Sequence, residues 1–577
     1  MMTDRDWLLL LVAVILAVFL PAFSAEVCKV DDTQMVASLQ QVSHWNLRDL
    51  FLPGASGGLY YRPLLMISFF VDKAIFNLNP FTLHAENVLL HLANTLLIFS
   101  IIRLLFALNG GDSHPGYAFL GSLLFGLHPM VTESVNWISG RTDLLMGFFL
   151  LLSTLLLVQY RLSGHKLLPW LAAIAFLAAL LSKELAIAFL PGYFLILCAK
   201  APGQNDQLHP PVFWRRKIFI FVGVTFLVIG TFFLLRSIAF TSNSSRIGLT
   251  FQYMQINPEH SFFLFLRAIG FYLKKILIPW PLNFAIVEVD PLYELAAIPL
   301  LGLCLYIALK GTLGSALFTA GLLLFSPALL IALNQIAWTP YAERYLYCTV
   351  AFVSMATVMY CDQSPFFLGK QWRYGLLSGF VLIGALTIWQ RNYTWQANER
   401  ILADTARKSP SESTVQWLYG ATLFEKGDYQ NALIYTQQAA SLPRNPMFYN
   451  SIPDVNLGII FYHLNRIPEA IVAFETVNRK KFGLSPEAHE GLIDCYRRLW
   501  FSATDTDQKE ELFQAMQGHS NRLFSLRPDP LIYYNLGKIA LADHNRAEAA
   551  VFFQKAISSM QEGHEYLPFA RKFLQQH

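Results

Sequence analysis

Charge is the scarcest property of this chain. Of 577 residues only 14% are Asp, Glu, Lys or Arg, while 54% are hydrophobic, and the mean hydropathy is +0.41. A soluble domain carries roughly a quarter charged residues, so the shortfall excludes an ordinary aqueous globule and marks a polytopic membrane protein. The net charge of +4 is too small to argue for a nucleic-acid partner. Cysteine is sparse as well: Cys28, Cys198, Cys304, Cys348, Cys361 and Cys495 are scattered, mostly in apolar runs. That scatter offers neither metal-ligand spacing nor a disulfide framework. Phosphate-binding loops, dinucleotide-binding glycines, and Ser-His-Asp or Cys-His constellations are missing too.

What is present falls into two parts, because composition shifts near residue 391. Before it, apolar runs of about 17–22 residues recur, each long enough to cross roughly 30 Å of hydrocarbon. After it, polar and charged residues alternate with helical periodicity. The expected fold is therefore all-α: a transmembrane bundle over 1–391 and a soluble helical domain over 392–577. Spans are expected at 7–23, 84–106, 116–128, 143–160, 167–182, 185–199, 217–236, 292–309, 313–333, 345–361 and 373–391. The first run follows Arg5 and precedes Ala22-Phe23-Ser24-Ala25, so it reads equally as a cleaved signal or a retained span. Residues 26–83 form a first outer loop, in which 64–76, with Asp72 and Lys73 inside it, is expected to lie along the interface. Residues 262–280 are apolar but interrupted by Arg267, Lys274 and Lys275 and ended by Pro279 and Pro281; they read as an interfacial or re-entrant helix.

Basic residues set the sidedness. Eleven spans put Arg5, Arg103, Arg161, Lys166, Lys200, Arg215, Arg216, Lys217, Lys310, Lys370 and Arg373 inside, as the positive-inside rule requires. The short outer loops keep only Arg141, Lys183 and Arg344, each beside an acid: Asp143, Glu184 and Glu343. Topological charges need no such neighbour, so these read as site residues.

The soluble part repeats. Gly420, Ala432 and Ala439 share their spacing of 12 and then 7 with Gly458, Ala470 and Val477 and with Gly537, Ala549 and Ala556. Phe474 and Phe553 occupy the same place in two copies, where the first has Thr436. Small residues let the two helices of a hairpin approach, and the aromatic fills the gap to the next hairpin. This is the tetratricopeptide pattern, and 486–527 reads as a degenerate further unit.

The polar island His128-Pro129-Met130-Val131-Thr132-Glu133-Ser134-Val135-Asn136-Trp137-Ile138-Ser139-Gly140-Arg141-Thr142-Asp143 stands between two apolar runs. Ionisable groups at the edge of hydrocarbon usually face a cavity, a partner or a substrate. The other unusual charges, Asp31-Asp32, Arg62, His84 with Glu86, Lys183-Glu184 and Glu343-Arg344-Tyr345, lie at the same outer ends. Their convergence suggests one interfacial cavity. Adjacent carboxylates such as Asp31 and Asp32 disfavour joint ionisation and suit general-base work on a hydroxyl; a helix N-cap or a solvated turn is the plainer alternative. Arg62, Arg141, Lys183 and Arg344 form a cationic set suited to a lipid-linked phosphate, or simply to headgroups. His84 and His91, seven apart, read as satisfied core histidines rather than metal ligands. No metal is indicated, although a carboxylate pair can hold Mg²⁺ through water. Asn243-Ser244-Ser245 and Asn392-Tyr393-Thr394 are outer-side glycosylation sequons.

Several blocks carry a family resemblance. They are Asp31-Asp32 after the first span, Tyr61-Arg62-Pro63-Leu64, His84…Asn87…His91, His128-Pro129…Thr132-Glu133…Trp137-Ile138-Ser139-Gly140-Arg141…Asp143-Leu144-Leu145, Ser182-Lys183-Glu184 and Ala342-Glu343-Arg344-Tyr345-Leu346-Tyr347. With the terminal repeats, the chain resembles the transmembrane and tetratricopeptide-repeat O-mannosyltransferase family of the GT-C glycosyltransferases. The resemblance implies transfer of mannose or a similar hexose from a polyprenyl-phosphate carrier to an acceptor hydroxyl, with inversion, on the outer face of the bilayer. It implies Asp31 or Asp32 as the base. Arg62, His128, Glu133, Arg141, Asp143, Lys183, Glu184, Glu343, Arg344 and Tyr345 would bind the donor's phosphate and sugar, and the repeats would grip an acceptor protein. Animal members carry longer repeat arrays, which points to a bacterial-type relative with its site periplasmic rather than in the endoplasmic reticulum. An acceptor such as lipid A, a cell-wall polymer or another glycan is the first alternative. A transporter or scaffold is the second; it predicts mid-span charges and duplicated halves, of which the sequence has few and none.

Overall fold

The structure, a computed structural model, describes residues 3–51, 60–110, 115–199, 211–239, 246–333, 337, 339–363, 370–443, 452–481, 483–562 and 564–576. Among these, helices account for nearly all regular structure, and Ile286 and Tyr341 form an isolated antiparallel bridge. The chain divides into two compact units, Met1–Ser409 and Pro410–His577.

In the first unit every expected span falls on a helix. Among the described residues five segments are long and apolar enough to cross a membrane: Asp4–Ser24, Pro80–Leu108, Ile138–Ser163, Leu292–Leu309 and Leu313–Ile331. Others are short. Helix Pro115–Gly126 has 12 residues, so at 1.5 Å per residue it rises only about 18 Å. The first apolar run belongs to the core. Leu11, Ile15 and Phe19 are fully buried, and a Cβ on Gly126 would come within 2.6 Å of the Ile15 side chain. Phe19 stands edge-on to His91 at 5.1 Å. Cleavage after Ala25 would strip these side chains from the bundle.

Helix Pro258–Leu277 tolerates its interrupting cations because each has a partner. Arg267 pairs with Glu294 at 2.5 Å, Lys275 with Glu343 at 2.9 Å, and Lys274 donates to the Trp280 carbonyl. Gly270 lets helix Leu292–Leu309 come close, since a Cβ there would overlap the Tyr293 carbonyl. Toward its N-terminal end the helix leaves Phe262 and Phe263 exposed.

Helices Lys370–Trp395 and Asn398–Lys408 complete this unit beyond residue 391. Arg391 and Asp404 tie them together at 2.6 Å. Asn392 lies buried inside it, accepting from Asn136 at 2.7 Å and donating to the Val18 carbonyl at 2.9 Å. Buried at 0% exposure with its oxygen and nitrogen both bonded, the Asn392 side chain is not an available acceptor at the expected sequon. The sequon at Asn243 lies outside the described residues.

The second unit is built of hairpins: Ser413–Glu425 with Tyr429–Ser441, Ile452–His463 with Ile467–Lys480, Pro486–Ser502 with Thr506–Leu526, and Pro530–Ala542 with Arg546–Ser559. The repeat glycines do what their spacing predicts. A Cβ on Gly458 would sit 2.6 Å from the Phe474 ring, and one on Gly537 would sit 2.9 Å from Phe553. In the first copy the smaller Thr436 fills the same place, 2.5 Å from a Cβ on Gly420. The third hairpin is longer because helix Thr506–Leu526 runs to 21 residues.

Phe474 is buried and wedged between Gly458 and Gly491. Truncation to alanine removes a large ring that neighbours this close cannot replace. Phe474→Ala should cost about 3–5 kcal/mol, seen as a fall in the unfolding midpoint of the repeat unit in the full chain.

Candidate functional site

The polar island folds as a chain of short turns. His128 caps Pro129–Val131, its Nδ1 accepting from the Met130 amide at 3.3 Å while Nε2 donates to the Ile276 carbonyl at 3.3 Å. Helix Thr132–Asn136 follows, and Ile138–Gly140 leads into helix Arg141–Ser163. Glycine is required at 140, because a Cβ would lie 2.5 Å from the Ser134 carbonyl oxygen.

This island and the acidic-pair loop are fastened together. The Asp32 carboxylate is buried and accepts from the Ile138 amide (3.1 Å), the Ser139 amide (2.9 Å) and the Ser139 hydroxyl (2.5 Å). Trp137 Nε1 donates to the Val30 carbonyl at 3.0 Å. Burial pushes the Asp32 carboxyl up to about 7 against the pull of those donors.

Asp31 is the opposite case. Its backbone lies in the left-handed region, φ 65°, and its side chain does not cap helix Asp32–Gln41. A non-glycine residue there costs of order 1–3 kcal/mol, and such strain concentrates at functional sites. The residue is exposed, yet the protein around it desolvates the carboxyl and holds it above the ordinary carboxylate range, against the nearby Arg344 charge.

The remaining ionisable residues pair across segments. Arg62 Nε and Nη2 grip Glu184 at 3.0 and 2.7 Å. Lys183 Nζ meets Asp143 at 2.6 Å, both buried. Arg344 donates from its backbone amide to Glu133 at 3.0 Å and pairs with the same carboxylate through its guanidinium. Burial holds the Glu133 carboxyl above its ordinary value, opposed by Arg344. Tyr345 lies under two cations, 5.0 Å from the Arg344 guanidinium and 5.6 Å from Lys183 Nζ. Arg62 and Arg344 are both near enough to act on the Lys183 charge. So Arg62, Lys183 and Arg344, with Glu184, Asp143, Glu133 and Tyr345, form one cluster, and Asp31 stands within reach of Arg344.

Three other candidates stand outside that cluster. Arg141 is fully buried, bonded to Asp72 at 2.5 Å, Glu86 at 3.0 Å, Asn87 Oδ1 at 3.0 Å and the Leu83 carbonyl at 3.0 Å. Glu343 is held by Lys275 and by the Asn283 amide at 2.9 Å. His128 has both ring nitrogens engaged within the fold. These three hold the segments that carry the cluster. His91 is a core residue, placed between the Tyr347 hydroxyl (2.9 Å) and the Gly126 carbonyl (3.0 Å). Among the described residues no group of three or more His, Cys, Asp or Glu is placed to hold a metal ion.

Sequence reading missed the partners. Asp72 and Lys275 looked like interruptions of apolar runs, and each proves to be the counter-charge of a motif residue. Tyr60 was not singled out, though Arg62 lies 4.3 Å above its ring. Asn398 carried no signal at all.

The fold and site together define a polytopic, all-α membrane protein with a polar cluster assembled from many helix ends and a second unit of tetratricopeptide-type hairpins. No family model matches the chain. Individual proteins do. The human protein O-mannosyl-transferase TMTC2 is 29% identical over 232 residues, 37% of this chain and 26% of its own length. Drosophila melanogaster Tmtc3 is 24% identical over 523 residues, 75% of this chain and 53% of its own. Mouse TMTC1 is 40% identical over 96 residues, 16% of this chain and 10% of its own. The chain is thus similar to several protein O-mannosyl-transferases, and the matched part spans about half the fly protein and a quarter of the human one. All three are animal proteins, so a bacterial inner-membrane setting finds no support among them.

Removing one member of a fully buried ion pair leaves the other charge uncompensated. Arg141→Gln, which strands Asp72, should cost about 3–5 kcal/mol. Arg62→Gln, at a pair whose side chains are 18% and 25% exposed, should cost much less. Denaturant unfolding of the detergent-solubilised chain measures both.

Proposed function

We propose that this chain is an integral-membrane glycosyltransferase. It moves mannose or a similar hexose from a polyprenyl-phosphate carrier to a Ser or Thr hydroxyl of a protein, on the non-cytosolic face, with inversion. The observation that carries the reading is the contrast inside the acidic pair. Asp32 is buried under three donors; Asp31 is exposed, conformationally strained and uncapping. That makes Asp31 the base and Asp32 its support. The names of the relatives, protein O-mannosyl-transferases, favour a protein acceptor and mannose as the sugar.

In this reading Asp31 accepts the proton of the acceptor hydroxyl as its oxygen bonds to the anomeric carbon. The bond from that carbon to the phosphate oxygen breaks, and the phosphate leaves with the bonding electrons. Negative charge grows on the phosphate, so cations fixed there favour the transition state over the ground state. Arg62, Lys183 and Arg344 supply them, each held in place by an acid from another segment. Positive charge developing on the sugar is met by Glu133 and Asp143. No metal is needed for this charge balance. The first unit, through Ser409, carries the chemistry, and the repeats beyond it, 410–577, hold the acceptor polypeptide.

Incubating the full chain with polyprenyl-phosphate mannose and a membrane-protein extract tests the reading, with hexose on Ser and Thr read by mass spectrometry. Asp31→Asn should abolish transfer while donor binding persists. Asp32→Asn should lower it about 10–100-fold through misplacement of the loop. Undiminished transfer by Asp31→Asn would remove the base assignment.

The pH dependence follows from the surroundings of Asp31. Its carboxyl must be ionised to act, so kcat/KM should rise along an acidic limb placed above the ordinary carboxylate value of about 4. Arg344 favours the ionised form. Arg344→Gln should therefore move that limb to higher pH, besides lowering the maximum; a limb that stays put would mean that Asp31 is not the titrating group.

A further inference from the structure

The loop that presents Asp31 has no secondary structure of its own between Ser24 and Asp32, and the polar groups of such a backbone need partners from elsewhere. On one side the motif supplies one, Trp137 Nε1 to the Val30 carbonyl, while the Ile138 and Ser139 amides hold the Asp32 carboxylate. On the other they come from the far end of the first unit. The Glu26 amide donates to the Gln396 carbonyl at 3.0 Å. The Lys29 amide donates to Asn398 Oδ1 at 2.8 Å. Asn398 Nδ2 donates to the Val27 carbonyl at 2.9 Å and to Glu26 Oε2 at 3.0 Å, and the Asn398 amide donates to the same Glu26 oxygen at 2.9 Å.

One side-chain amide thus bonds the carbonyl of residue 27 and the amide of residue 29. A neighbouring parallel strand bonds alternate residues in the same way, and here a single planar fork takes its place. The side chain is 8% exposed, and both of its amide hydrogens and its oxygen are used. Few substitutes fit. An aspartate keeps the acceptor for Lys29, loses both donors, and sets a carboxylate against Glu26. An alanine leaves the Val27 carbonyl and the Lys29 amide without this partner.

We propose that Asn398 is a positioning residue for catalysis: it fixes residues 26–29 and thereby the strained Asp31 two residues further on. The inference rests on Asp31 being the base. Asn398 touches no reacting atom, and its effect runs through the loop alone. Fixing one flank of a left-handed residue limits how it relaxes, because Asp31 can leave φ 65° only by moving the segment before or after it. Asp32 closes the second flank.

The test uses the full chain in detergent with polyprenyl-phosphate mannose and a membrane-protein extract, following release of polyprenyl phosphate. Asn398→Ala should lower kcat about 10–100-fold, the range expected for a reacting group displaced by about an ångström. KM for the donor should stay within about twofold of the parent chain, as the Arg62, Lys183 and Arg344 cluster is untouched. N398D should lose activity similarly, and the double variant E26Q/N398D should regain several-fold, because the introduced amide at 26 donates back to the carboxylate at 398. Rescue of this kind is not expected of a merely destabilised fold, and the unfolding midpoint is measured alongside. The proposal is overturned if Asn398→Ala keeps its kcat, if only KM rises, or if E26Q gives N398D no recovery. Asp31→Asn separates the two readings. If that variant is inactive while Asn398→Ala is normal, the positioning role alone fails; if it is fully active, the base assignment fails and this inference with it.

Discussion

Ion pairs that cross between segments are the constraint on which the first unit depends. At the edge of a bilayer an unpaired charge is expensive, and a pair inside a low-dielectric interior is repaid only when its geometry is good. Each candidate cation, and Lys275 besides, solves this by finding its acid on a different segment: Arg62 with Glu184, Arg141 with Asp72 and Glu86, Lys183 with Asp143, Lys275 with Glu343, and Arg344 with Glu133. Such pairs add little stability over apolar contacts of the same volume. Their consequence is positional, because no segment can shift without stranding a charge. Helix ends from widely separated parts of the sequence are thereby held against one another.

The acidic loop inherits its position from this lattice. Arg344, anchored on Glu133, lies 4.9 Å over the Trp137 ring. Trp137 in turn bonds the Val30 carbonyl, and the next two residues bond Asp32. A cation that would bind the leaving phosphate is therefore linked through one indole to the loop that would take the acceptor's proton. In the proposed mechanism these are the two groups that would act on opposite sides of one carbon, and Trp137 links them. That arrangement pre-organises the charges instead of leaving them to be gathered by substrate, the condition under which fixed dipoles and charges are most effective.

Much of this was legible in the residues, and what was not has a physical reason. The bundle could be read because spans are long apolar runs, and length alone separates them from loops. The repeats could be read because close helix approach demands Gly or Ala at fixed intervals, with Phe474 and Phe553 filling the gap. The ionisable residues themselves stood out against an apolar background. Their pairing was not legible. Arg344 follows Glu343 and Lys183 precedes Glu184, yet consecutive residues in a helical turn point in different directions, and each took a partner from another segment. Asp72 and Lys275 looked like interruptions because a counter-charge is recognisable only beside its mate. The short helix Pro115–Gly126 shows a further limit: hydropathy marks an apolar run but does not say whether the folded helix reaches across.

The adjacent aspartates show most clearly what a sequence hides. In the chain they are two equal carboxylates, and reciprocal repulsion would be the expected source of any perturbed acidity. In the structure repulsion is a small contribution and environment does the separating. Asp32 begins a helix and turns inward onto the amides of Ile138 and Ser139, which fixes its orientation through three bonds. With the side chain of Asp32 committed inward, the residue before it is turned away, and the backbone enters the left-handed region at Asp31 to make that reversal. The positive φ at Asp31 and the buried, triply bonded Asp32 stand side by side, and each keeps its acid in a different environment. A sequence with one acid at this place could bury an anchor or expose a base, but one residue could not do both, and that is a physical reason for the acids to come as a pair.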